Sequence, residues 1–142
     1  MREILFRGQA ANRIEGRPYR TSYKNGDWVY GLLTDAENYA GFAEMTNTNG
    51  VSGIEVDKNT VGQFTGLTDK NGKKIFEGDI LVIWNEYEHP VLVKFLDFGW
   101  HCVIPNVNVY IHYRHRLENN TAKYEVIGNI HDNPELLEAD HV

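Results

Sequence analysis

The feature that most constrains this chain is a period-two alternation of apolar and polar residues, cut at short intervals by Asn-Gly pairs. Trp28, Tyr30 and Leu32 fall on one face of the run Asp27 to Leu33, and Val91, Val93 and Phe95 do the same between Val91 and Leu96. Val109 to Arg116 alternates in the same way. A period of two belongs to a half-buried strand and does not suit a helix. Asn25-Gly26 is the strongest hairpin signal, because both central residues of that turn need positive φ, and Asn49-Gly50 and Asn71-Gly72 mark further turns. Ile80 to Trp84 is apolar at neighbouring positions, which predicts a strand covered on both faces.

The rest of the chain fits around these runs. Ile4 and Phe6 open a first strand, while residues 9–24 are polar and aperiodic and read as a long loop or irregular edge. From Thr34 to Asn59 the pattern is weak, with a short strand at Ile54 and Val56 and another from Val61 to Phe64. NEYEHP reads as a loop, Asp97-Phe98-Gly99 as a turn, and Trp100 to Ile104 and Tyr124 to Ile127 as strands. One short helix is predicted, capped by Asn133, with Pro134 first and Leu136 and Leu137 docking on the sheet.

Composition narrows the function. No run of about 18 apolar residues is present, so no membrane-spanning helix is expected. The opening MREILFRGQA lacks the apolar core of a secretory leader, and a single cysteine, Cys102, cannot form an internal disulfide. Both point to a cytoplasmic protein. The net charge is -6, which disfavours nucleic acid as a general partner. The charge is uneven. Residues 1–24 hold six basic residues against two acidic ones, so the remainder is strongly acidic.

Four segments resemble the YopX family of phage and prophage proteins: ILFRG at 4–8, NGDWVYG at 25–31, TVGQFTGLTDKNGKKIFEGDIL at 60–81 and YEVIGNIHDNPELL at 124–137. The resemblance implies a protein of bacterial cytoplasm and a mostly β fold whose C-terminal part looks like a Src-homology-3-like barrel. It brings no catalytic residues. The basic stretch at 9–24 is longer than the link expected between the first two segments.

The residues themselves offer little chemistry. Ser22 and Ser52 lie in no nucleophile elbow. Cys102 shares a strand face with Trp100 and Ile104, and its neighbour His101 faces the other way, so a thiol-imidazole pair is not expected. His112 and His115 have a helical spacing on a predicted strand, and no second cysteine or HExxH is present. The carboxylate pairs Glu77/Asp79 and Glu86/Glu88 fall in predicted turns. No phosphate loop, metal set or cofactor signature emerges. The most suggestive stretch is Tyr110 to Arg116, where His112, Arg114 and Arg116 share a face with Tyr110 beside them. A cationic and aromatic strand face is a means of binding single-stranded nucleic acid.

The expectation is therefore all-β, in two lobes: residues 1–66, and a small C-terminal barrel with a terminal helix over residues 67–142, packed as one compact unit. The leading functional expectation is a non-catalytic protein-interaction module with a bacterial or phage protein as partner. Self-association through exposed strand edges and a nucleic-acid-binding role for Tyr110, His112, Arg114 and Arg116 stand behind it.

Overall fold

The structure, a computed structural model, describes residues 3–11, 23–39, 41–85, 87–104, 113–118 and 121–138. The backbone there is mostly β, its strands paired antiparallel in two sheets. The chain divides into two compact units, Met1–Phe64 and Thr65–Val142.

The first unit holds β1 (Phe6–Gln9), β2 (Trp28–Tyr39), β3 (Phe42–Asn47), β4 (Ile54–Asp57) and the start of β5 (Gly62–Thr68), in the order β4-β3-β2-β1-β5. Alternation does what the sequence predicts. Val29 is buried, whereas Tyr30 and Leu32, on the opposite face of the strand, are exposed, so the buried face is the one that carries Val29 and not the one that carries Trp28, Tyr30 and Leu32. The long β2 loses register against β3 between Leu33 and Asp35 and again before Tyr39. Such irregularities bend and twist a strand pair. The sheet curls so far that Ala10 bridges Val56, and the Ala11 N–H donates to the Glu55 carbonyl at 3.0 Å. Ala10, Val29, Ala43, Met45, Ile54 and Val56 fill the interior of that curl. The three Asn-Gly pairs lie at turns, but only the glycines take positive φ, at 92°, 85° and 80° for Gly26, Gly50 and Gly72, so Asn25-Gly26 lacks the two successive positive φ angles expected of it.

In the second unit β5 pairs with β6 (Lys74–Phe76), and the Thr65 hydroxyl donates to the Ile75 carbonyl at 2.8 Å. A meander follows: β7 (Asp79–Ile83), β8 (Tyr87–Leu96), β9 (Gly99–Ile104) and β10 (Tyr113–Arg116). A 3-10 turn, Thr121–Lys123, leads into β11 (Tyr124–Asn129), which returns to pair with β7. The order is β10-β9-β8-β7-β11. One face packs Leu81, Ile83, Val91, Val93, Cys102, Ile104 and Tyr124; the other packs Ile80, Leu92 and Val103 under Ile130, Leu136 and Leu137. The double coverage expected around Ile80 is present.

Three expectations change. β10 and β11 stand at opposite edges of the sheet and do not pair among the described residues, so the sheet is open and the small barrel is not closed. The terminal helix is a single 3-10 turn, Pro134–Leu137. Asn133 does not cap it; its side-chain oxygen accepts from the Asn129 N–H at 3.3 Å, and the chain is extended again at Glu138. The segment read as a loop before Val91 belongs to β8, which begins at Tyr87.

Candidate functional site

The β8–β9 hairpin carries the least expected geometry. Leu96 pairs with Gly99, leaving Asp97 and Phe98 as its two-residue tip, at φ of 47° and 62°. Asn-Gly is the natural occupant of such a turn, because a side chain with a Cβ is strained at positive φ. A bulky aromatic there costs on the order of 1 kcal/mol. Phe98 gains no packing in return, since 96% of it is exposed. Phe95 is also exposed and meets Trp100 edge to face, with centroids 5.0 Å apart. Asx-type or glycine chemistry would relieve the tip; the chain places an exposed aromatic there instead.

One side of this hairpin is cationic. Lys94 on β8 pairs with His101 on β9, and His101 pairs with Arg116 on β10, so the three form one cross-strand row. Cross-strand partners project to the same face of a sheet. His101 is buried, with Nδ1 3.1 Å from the Gly99 carbonyl oxygen. A carbonyl only accepts, so Nδ1 carries the proton. Lys94 and Arg116 are exposed, and among the described residues neither has an ion-pair partner. The Arg116 guanidinium lies over Gly99: a Cβ built there would be 2.9 Å from its Nη2.

Of the residues singled out from sequence, Arg114 and Arg116 lie on β10, opposite Val103 and His101. Tyr110 and His112 lie outside the described residues, as does most of the basic stretch at 9–24. Lys94 and His101 were missed because pairing across strands brings them in. Phe98 had a readable signal: an aromatic residue where a two-residue turn calls for glycine or asparagine.

The alternative chemistries have structural occupations. Asp79 is buried and accepts from the Phe76 N–H at 2.8 Å, holding the corner at Glu77-Gly78. The side chains of Glu86 and Glu88 lie outside what is described. Among the described residues no group of three His, Cys, Asp or Glu could hold a metal ion. Cys102 is fully buried, and burial pushes its thiol up to about 12. The reactive species is the thiolate. Cys102 is therefore expected to resist iodoacetamide at pH 8 in the folded protein and to react within minutes in denaturant. Rapid labelling of the native chain, followed by mass spectrometry, would contradict that placement.

Comparison with known proteins places the fold. The model of the family described as YopX protein matches residues 19–138. The chain belongs to the YopX family. Among solved structures, this YopX member is similar to the crystal structure of protein EF1440 from Enterococcus faecalis, with 24% identity and a TM-score of 0.51. The match covers 97% of this chain and 100% of that one, and it speaks for the fold alone. No curated protein matches the chain. No helix among the described residues is long and apolar enough to cross a membrane.

Proposed function

We propose that this YopX protein is a non-catalytic protein-interaction module that engages its partner through the tip of the β8–β9 hairpin. The observation that carries the reading is Phe98, an aromatic side chain 96% exposed on a residue held at φ 62°. Local strain without compensating packing points to a task outside the fold. Exposed aromatics are the usual anchors of protein interfaces, because each buries much area while fixing few torsions. The buried Cys102 and the structural use of Asp79 support a role without catalysis.

Further parts of the reading rest on the family and the connectivity. The partner is a bacterial or phage protein, met in the bacterial cytoplasm. A four-strand meander, a 3-10 turn and a fifth strand returning to the first supports kinship of the second unit with Src-homology-3-like modules, in an open form.

Phe98→Gly tests the central point because stability and function should move in opposite directions. Relief of positive φ is expected to raise stability by about 1 kcal/mol in urea unfolding. Capture of the partner from bacterial lysate, treated with nuclease, is expected to fall at least tenfold. A variant that is more stable and binds as well as the parent would end the proposal.

A further inference from the structure

We infer that Lys94 and Arg116, on either side of the buried His101 in one cross-strand row, bind carboxylates, and that the protein partner presents an acidic segment there beside the apolar site that receives Phe98. This deepens the interaction reading and rests on it. The observation is the juxtaposition of two exposed cations flanking a histidine in one cross-strand row, in a chain whose net charge is -6. Lys94 and Arg116 lie two strands apart on one face, about 10 Å between strand axes, where like charges still repel. Opposite charges are abundant, with 20 Asp and Glu in the chain, yet among the described residues none forms an ion pair with Lys94 or Arg116. Gly99 adds a second indication. With no side chain, it lets the Arg116 guanidinium lie over the hairpin end, one residue from Phe98. The Arg116 charge and the aromatic anchor thus lie at the same end of the β8–β9 hairpin.

Charge complementarity selects an anion, and the surroundings select a protein anion over nucleic acid. The row crosses three strands, a width of about 10 Å. That suits two or three carboxylates on an extended segment. A nucleic acid would continue its charge well past the row and meet the acidic balance of the rest of the chain. A base stacked on Phe98 would also bring its phosphates beside the Asp97 carboxylate. A partner protein can place acidic residues opposite the row and neutral or basic ones elsewhere, which is how complementary interfaces achieve specificity.

The test uses the full chain and two labelled probes of similar charge, poly-L-glutamate of about 20 residues and oligothymidylate of about 20 nucleotides, read by fluorescence anisotropy at about 20 and 200 mM NaCl. Poly-L-glutamate is expected to bind at low salt and to weaken at least tenfold at high salt. The pair of substitutions Lys94→Gln and Arg116→Gln is expected to weaken it at least tenfold. Gly99→Ala keeps both charges but displaces the guanidinium, and is expected to weaken binding severalfold with an unchanged circular dichroism spectrum. Lys74→Gln, which removes an exposed cation outside the row, leaves poly-L-glutamate binding as it was, and the anchor is read separately by Phe98→Gly in the lysate capture, so failure of the row and failure of the anchor are distinguished. Tighter binding of oligothymidylate, lost on the same substitutions, would replace the acidic segment with single-stranded nucleic acid. Binding of neither probe, or binding indifferent to Lys94 and Arg116, would overturn the inference outright.

Discussion

Gly31→Ala is expected to unfold the Met1–Phe64 unit or to cost it about 4 kcal/mol or more, among the largest effects a single methyl can have. Gly31 sits mid-strand on β2, opposite Phe6 on β1 and Asn47 on β3. A Cβ built there would approach the Thr46 carbonyl oxygen to 1.9 Å and the Asn47 Cα to 2.7 Å. Both obstacles are backbone, so no rotamer change relieves them. β3 would have to move away, and Met45 and Ala43 on that strand are fully buried in the core shared with Val29. Gly99→Ala is the control. The nearest atoms there belong to the end of the Arg116 side chain, which can swing aside, so its stability cost should stay within about 1 kcal/mol. Amide exchange read peptide by peptide separates the outcomes, with protection lost across β2 and β3 for Gly31→Ala. If both variants behave alike, the close approach of β2 and β3 is wrong.

The contrast between those glycines shows what a sequence can and cannot carry. Trp28, Val29 and Tyr30 announce a strand by alternation alone, and Asn25-Gly26 announces the turn before it. Ile80 and Leu81 announce coverage on both faces, and each indeed joins a different cluster. The far half of β2 and the start of β3 were not legible, because Thr34 to Asn38 is polar on both faces and the register slips at Asp35. β8 begins at Tyr87, ahead of the alternation of Val91, Val93 and Phe95, and it holds Pro90, which has no ladder donor. Closure of the second sheet is a matter of tertiary geometry that no local pattern encodes. The site divides along the same line. Arg114 and Arg116 were readable along one strand. The row with Lys94 and His101 exists only through pairing of β8, β9 and β10. Phe98 was readable in principle, since its turn demands positive φ, and was passed over as mere turn chemistry.

Asp69 supplies the second large effect, and its sign with pH is fixed by its surroundings. The residue is buried, yet its side chain accepts three backbone hydrogen bonds: Oδ1 from the N–H groups of Asn71 at 2.8 Å and Lys73 at 2.9 Å, and Oδ2 from that of Val126 at 3.0 Å. It thus pins the Asn71-Gly72 turn to β11 just before the register shift between Val126 and Gly128. Burial alone would raise the carboxyl, but the donors from Val126, Lys73 and Asn71, with the Lys73 charge, hold it below its ordinary 3.8. A depressed carboxyl contributes stability that is fully present above the unfolded pKa and disappears as pH falls through the folded one. Asp69→Asn keeps the shape but turns an NH2 group toward backbone donors, so it should cost about 3 kcal/mol at pH 7. Urea unfolding at pH 7 and at successively lower pH, through the range where the folded carboxyl gains its proton, measures both quantities. The gap between parent and variant should narrow in acid, because the parent loses its carboxylate there and the variant has none to lose. A gap of equal size across that range would mean that the charged form does not hold the turn to β11, and that shape alone does.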